Sequence, residues 1–160
     1  MTQSLPQVGH EHHARILATV DRIPALADGL LGDVRTTRED LIAVRDVLTG
    51  TLLPHIDSAE HTIYPELERM FQNRHSMAPM RREHDEVRRL VGALVSVVDE
   101  LDVTRISVGR GLALRRVLFQ LYALLKIHLA EEEAYLRIVD HEVPGEVSEV
   151  LAAAMEHPIG

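Results

Sequence analysis

Apolar residues recur along the chain at the three- and four-residue spacing of amphipathic helices, and no stretch alternates strictly as a half-buried strand would. The first predicted helix runs from about Val8 to Leu31, and the second starts near Thr36. A third helix follows a turn at 73–76, and a fourth follows 102–107. Connections this short place neighbouring helices antiparallel, so the pattern predicts an all-α, antiparallel up-down-up-down four-helix bundle.

Each predicted helix carries one apolar stripe, and the four stripes together form the predicted core. Prolines at 24, 54 and 65 fall inside the first two patterns, where a missing N–H interrupts a helix. The stripes are Ile16, Val20, Ile23 and Ala27 in the first helix; Leu41, Val44, Leu48, Leu52, Ile56, Ile63 and Leu67 in the second; Met77, Met80, Val87, Val91, Leu94 and Val98 in the third; and Leu114, Val117, Leu121, Leu124, Leu125 and Leu129 in the fourth.

The length of 160 residues suits one domain with a single core. We predict one domain over 1–160, with the bundle core over about 8–140 and a C-terminal extension over 141–160. Within that extension, 147–155 could form a short terminal helix.

Composition narrows the classes of partner and cofactor. A net charge of −8 argues against nucleic acid or an anionic membrane as the main partner. The absence of cysteine excludes disulfides, thiolate zinc sites and cysteine-ligated iron–sulfur clusters. The N-terminal residues lack a signal-peptide pattern, and the longest unbroken apolar run, 121–125, is far too short to span a bilayer. We therefore expect a soluble, cytoplasmic protein.

The chain contains ten histidines, and one of them lies on the apolar stripe of each predicted helix. These four are His13, His55, His84 and His128, each of which has apolar residues three, four or seven positions away. Glu132 lies one turn after the last of them, and Glu60 and Tyr135 lie near the same stripes.

Burying several imidazoles and carboxylates together requires a compensating partner, and a cation is the natural one. Imidazole and carboxylate donors without sulfur suit iron, zinc or manganese. A single inward histidine is more often a hydrogen-bonded core residue, but one on each of four helices favours a metal. His61, His75, His141 and His157 fall off the stripes or near ends, whereas the roles of His10 and His12 stay open.

Other templates are missing from the sequence. No Glu-x-x-His, which ferritin-like di-iron bundles require, and no His-Glu-x-x-His is present. The chain also lacks a glycine-rich phosphate loop and a Gly-x-Ser-x-Gly nucleophile elbow.

Four short segments resemble the hemerythrin-like, or HHE cation-binding, family. They read EHHARI at 11–16, LPHIDSAEHTIYP at 53–65, REHDEV at 82–87 and HLAEEE at 128–133. The resemblance covers roughly residues 8 to 140 and implies an up-down-up-down bundle around a non-heme di-iron centre with an oxo or hydroxo bridge. Zinc or manganese are alternative metals. The resemblance implies that the metal ligands are His13, His55, Glu60, His84, His128 and Glu132, with the two glutamates bridging.

The chain departs from the family pattern in the second helix. The family places a glutamate four residues after the histidine, where this chain has Ala59. Glu60, five residues after His55, is turned by about 140° in a regular helix. Either a local distortion near Pro54 brings Glu60 to the metal, or that bridge is missing. Met80 and Arg88 also stand where the family's oxygen carriers place a further histidine.

The resemblance implies a protein that binds or reacts with dioxygen or peroxide, and family members also act on nitric oxide. Alternatives are an iron- or oxygen-responsive protein, a metal-storage protein, or a variant site with one metal or zinc. Binding and enzymatic turnover require the same ligands, so the sequence does not separate them. Tyr64 or Tyr135 could coordinate the metal or donate a hydrogen bond to a small ligand. We expect a monomer or a weak homodimer with no nucleic-acid or membrane partner.

Overall fold

The computed structural model describes residues 5–30, 34–100 and 106–142, together with Glu149. These residues are almost entirely helical and contain no strand, which confirms the all-α prediction. The α-helices are α1 (Leu5–Val20), α2 (Ile23–Gly29), α3 (Val34–Val47), α4 (Leu53–Ser58), α5 (Tyr64–Met70), α6 (Ala78–Asp99) and α7 (Val108–Glu142). The possible terminal helix at 147–155 lies, except for Glu149, outside the described residues.

Within the described ranges, these seven α-helices form four longer stretches, in agreement with the predicted four. A turn at Asp21–Arg22 separates α1 from α2, directly before Pro24. Two π-helical turns, Leu48–Leu52 and Ala59–Ile63, join α3, α4 and α5 into one continuous rod. Helices α6 and α7 are uninterrupted.

The π-turns in the second stretch have a cause in the sequence. Each directly precedes an α-helix whose first turn contains a proline, Pro54 in α4 and Pro65 in α5. A proline inside a helix lacks the N–H of the i→i−4 bond, and its ring clashes with that carbonyl. Because a π-turn contains one residue more than an α-turn, it changes which residues face the interior beyond it.

Helix α7 is the central packing partner among the described elements. It packs against α1, α2 and α6, and α3 packs against α1, α2 and α6 in turn. These contacts are those of a helical bundle. The backbone N–H of Arg110 donates to Ser107 Oγ at 3.3 Å, so this serine caps the start of α7.

The predicted apolar stripes form the core. All of their members are buried except Val117 and Leu124, which are half-buried. The buried residues fall into two clusters, a larger one that includes Leu52, Val91 and Leu125 and a smaller one around Ile63 and Leu67. None of the described helices has the length and apolar character that crossing a bilayer requires.

The boundary between the two apolar clusters crosses α6 and α7 at polar positions. On α6, Met80 belongs to the smaller cluster and Val87 to the larger one, with His84 between them. On α7, Leu129 and Leu136 belong to the larger and smaller clusters, and Glu132 lies between them. The interior therefore contains a polar layer between two apolar layers.

Candidate metal centre

Four histidines, one from each of the four helical stretches, occupy this polar layer. His13 lies on α1, His55 on α4, His84 on α6 and His128 on α7. Each is at most 1% exposed. Imidazoles so deeply buried need partners for their ring nitrogens.

Glu132 of α7, itself 1% exposed, lies between two pairs of these histidines. In the first pair, the Nε2 atoms of His13 and His55 are 3.3 Å apart and lie 3.2 and 2.9 Å from Glu132 Oε2. In the second pair, the Nε2 atoms of His84 and His128 are 2.9 Å apart, and His128 Nε2 lies 4.0 Å from the same oxygen. We call these the His13–His55 half and the His84–His128 half.

Each half, taken with Glu132, has the geometry of a cation site. In both groups the candidate ligand atoms all lie within 4.8 Å of one another. Glu132 belongs to both groups, so it is the carboxylate that could join two cations. That these residues bind metal stays a prediction.

The hydrogen bonds on the outer nitrogens show that a cation fits this donor set. The Nδ1 atom of His84 lies 2.7 Å from Glu60 Oε1, and that of His128 lies 2.9 Å from Glu83 Oε2. A neutral imidazole has one proton, and a carboxylate at Nδ1 holds that proton there. The two Nε2 atoms then present lone pairs to each other at 2.9 Å, an arrangement that a cation would relieve.

Electrostatics keep Glu132 ionised despite its burial. Burial alone would raise the pKa of this carboxyl, but the charge of His55 and the hydrogen bonds from His13 and His55 hold its pKa well below the usual range. The pKa of His84 is lowered to about 4 by burial and by the neighbouring His128. The centre therefore combines an anionic carboxylate, Glu132, with a neutral imidazole, His84, which are the protonation states that metal binding requires.

Glu60, predicted as a bridging ligand, lies outside both groups. Its Oε1 accepts the hydrogen bond from His84 Nδ1 and another from Arg88 Nη1 at 3.0 Å. Burial would raise the pKa of Glu60, but these two hydrogen bonds lower it. The five-residue step from His55 explains the placement, because the π-turn begins at Ala59 and leaves Glu60 turned away from the His55 face.

Tyr64 reaches the centre instead. This side chain is fully buried, and its hydroxyl donates to Glu132 Oε1 at 3.1 Å and lies 3.1 Å from His84 Nε2. In a regular helix Tyr64, nine residues after His55, would lie on the opposite face. The extra residue of the π-turn rotates it by about 100° toward the interior. Burial and the charge of Glu132 raise the pKa of its phenol.

Tyr135, the other tyrosine singled out in the sequence, is half-buried at the edge of the smaller apolar cluster. Its ring lies 6.3 Å from that of Phe71, edge to face. The seven-residue spacing from His128 thus predicted a shared stripe but not the depth along the helix at which the centre lies.

His12 has a role that the sequence left open. It is 7% exposed and stacks on the ring of His55 with centroids 4.7 Å apart. Its Nε2 atom has no hydrogen-bond partner within the described ranges. Burial, followed by the charge of His55, lowers the pKa of His12 to about 4. Its position four residues before Ile16, on the same face of α1, was the signal that could have identified it.

The remaining histidines lie on the surface or outside the described residues. His10 is exposed and lies 3.2 Å from Glu133 Oε1. His61, His75 and His141 are exposed as well. His157 lies outside the described residues.

A search of curated proteins and a search of solved structures each found no significant match. A family model described as the hemerythrin HHE cation binding domain matches residues 7–137. This range is most of the chain and includes Glu132 and the four histidines paired around it. The chain therefore belongs to the hemerythrin HHE cation-binding domain family.

Proposed function

We propose that this protein holds a non-heme di-iron centre between its four helices and that the centre binds or reacts with dioxygen or peroxide. The observation that carries the proposal is the convergence of four buried Nε2 atoms, in two pairs, on the two sides of Glu132. Family membership supports cation binding. A pair of iron ions would supply the electrons for reduction of an oxygen species.

The side chains of the centre have separate tasks in this proposal. His13, His55, His84 and His128 bind as neutral donors, and Glu132 is the anion shared by both halves. The Tyr64 hydroxyl lies beside Glu132 Oε1 and His84 Nε2, where it can donate to a small bound ligand or become a further ligand itself.

The apolar side chains near the centre support this proposal, because they keep the interior dry. Six apolar side chains on three of the helical stretches are at most 1% exposed: Leu52, Ile63, Val87, Val91, Leu121 and Leu125. Apolar layers on both sides limit the access of water and protons to a bound small molecule.

Several finer features belong to the same proposal. The helices run antiparallel, up-down-up-down, which the packing of α7 against both α1 and α6 supports. The small ligand is dioxygen, peroxide or nitric oxide, and the protein acts in the cytoplasm as a monomer or weak homodimer.

The first experiment is metal content per chain on freshly purified protein, with a visible spectrum before and after hydrogen peroxide. Two irons per chain and a spectrum that responds to peroxide are expected. Gas evolution on peroxide addition would identify an enzyme rather than a carrier. One metal per chain, or colourless zinc, would refute the di-iron proposal.

Chelation provides an independent test. Binding free energy adds to folding free energy, by about 4 kcal/mol at a free metal concentration 1,000 times the dissociation constant. Removing metal should therefore lower the melting temperature markedly. An unchanged melting temperature would instead indicate a bundle whose buried histidines need only hydrogen bonds.

A further inference from the structure

The two halves of the centre are supported differently on their outer sides. In the His84–His128 half, each Nδ1–H donates to a carboxylate, Glu60 at 2.7 Å and Glu83 at 2.9 Å. These carboxylates come from the second helical stretch and from α6, so packing of three stretches fixes both rings.

In the His13–His55 half, the His13 ring lacks this arrangement among the described residues. The Nδ1 atom of His13 is buried and has no hydrogen-bond partner in the part of the chain that the structure describes. The carboxylate oxygen Glu133 Oε1 lies 3.6 Å from this atom and 3.2 Å from His10 Nδ1. The ring of His55 is stacked on the imidazole of His12, and its Nε2 lies 2.9 Å from Glu132 Oε2.

This difference has a direct effect on affinity for a cation. A carboxylate that accepts the outer N–H of a histidine fixes the ring, fixes the tautomer and makes the inner nitrogen a better donor. Removing one such partner typically weakens metal binding by 10- to 100-fold. Glu60 also pairs with Arg88, so Glu83, 2.9 Å from His128 Nδ1, is the carboxylate whose removal tests this effect most directly.

The His13–His55 half also lies close to a surface pocket. A surface pocket of about 290 Å³ is lined by Gln7, His10, Glu11, Glu133 and Arg137, beside the α1 and α7 residues of the His13–His55 half. Glu133, which lines this pocket, has its Oε1 3.6 Å from His13 Nδ1, and His13 Nε2 lies 3.2 Å from Glu132 Oε2. His13, the less supported ring, thus lies next to a residue that lines a surface pocket.

We infer that the two halves bind cations in sequence: the His84–His128 half fills first and holds its ion, while the His13–His55 half fills second and exchanges. This inference rests on the proposed metal centre and adds that a one-cation form exists at limiting metal. Glu83 is then a positioning residue, since it acts through His128.

The test is a titration of the metal-free full chain with Co²⁺, followed by visible absorption and calorimetry. Two steps are expected, the first at least tenfold tighter than the second. Glu83→Gln should weaken the first step by 10- to 100-fold and leave the second step unchanged. Glu133→Gln removes a carboxylate of similar burial beside the other half and should leave the first step unchanged.

Two further variants assign the steps to the halves. His55→Gln should retain one tight step, whereas His128→Gln should retain only a weak one. Circular dichroism of each variant shows whether it is folded, and the wild-type titration already tests the inference without any substitution. Two equal steps, or a tight step that survives His128→Gln, would overturn it. Absence of any Co²⁺ binding would instead refute the proposed metal centre itself.

Discussion

The metal-free protein should lose stability between pH 7 and pH 5 because of two buried histidines. Burial, together with neighbouring histidines, lowers the pKa values of His12 and His84 to about 4, from 6.5 in an unfolded chain. Between these values the unfolded state binds protons that the folded state does not. The contribution of these two histidines to the free energy of unfolding is therefore fully present above pH 6.5 and is lost as the pH drops toward 4.

The size of the loss is obtained from the same two pKa values. A histidine that titrates at 6.5 when unfolded and about 4 when folded contributes about 2 kcal/mol less at pH 5 than at pH 7. His12 and His84 lie in opposite halves of the centre, so their contributions add to about 4 kcal/mol. A typical domain has only about 5–15 kcal/mol in total, so the change is large.

Urea unfolding of chelator-treated protein at pH 7 and pH 5, followed by far-ultraviolet circular dichroism, measures this difference. His12→Gln should halve it, and His75→Gln, at an exposed position, is the matched control and should leave it unchanged. Equal free energies of unfolding at the two pH values would refute the reasoning, because they would show that these imidazoles protonate freely inside the folded protein.

Three substitutions test other parts of the structure. Glu132→Gln should reduce metal content after equilibrium dialysis in both halves, whereas the exposed neighbour variant Glu131→Gln should bind normally. Tyr64→Phe should destabilise the metal-free protein by about 1–3 kcal/mol in chemical unfolding, because it leaves a buried acceptor on Glu132 unpaired; Tyr135→Phe should change stability and metal spectra little. Leu125→Ala should cost about 2–5 kcal/mol of unfolding free energy through the cavity it creates, with metal stoichiometry retained.

The helices and the core could be predicted from the sequence because both depend on the spacing of apolar residues within each helix. Apolar spacing alone placed residues such as Leu94 and Leu121 inside, and the same spacing marked the inward histidines. The departure from the family pattern was visible in the sequence as well, since Ala59 stands where the family has a glutamate.

Local spacing did not predict two features of the centre. One is the extra residue that each π-turn contains, and the other is the pairing of side chains from different helices. Prolines 54 and 65 mark interruptions, but nothing in the pattern says that each is absorbed as a π-turn, which decides where Tyr64 lies. Glu83 adjoins His84 in sequence yet binds His128 of α7, a contact that exists only once α6 and α7 have packed.

The π-turn over Ala59–Ile63 also determines how the second helical stretch can tolerate a change in length. A π-turn stores one surplus residue, so a one-residue deletion there can be absorbed as the backbone returns to regular α-helix. Loss of Ala59 would bring Glu60 to the fourth position after His55, about 100° closer to the His55 face, while Tyr64 and everything beyond it kept their orientation. A single codon therefore separates this centre from one in which a second carboxylate competes with the phenol for the same space.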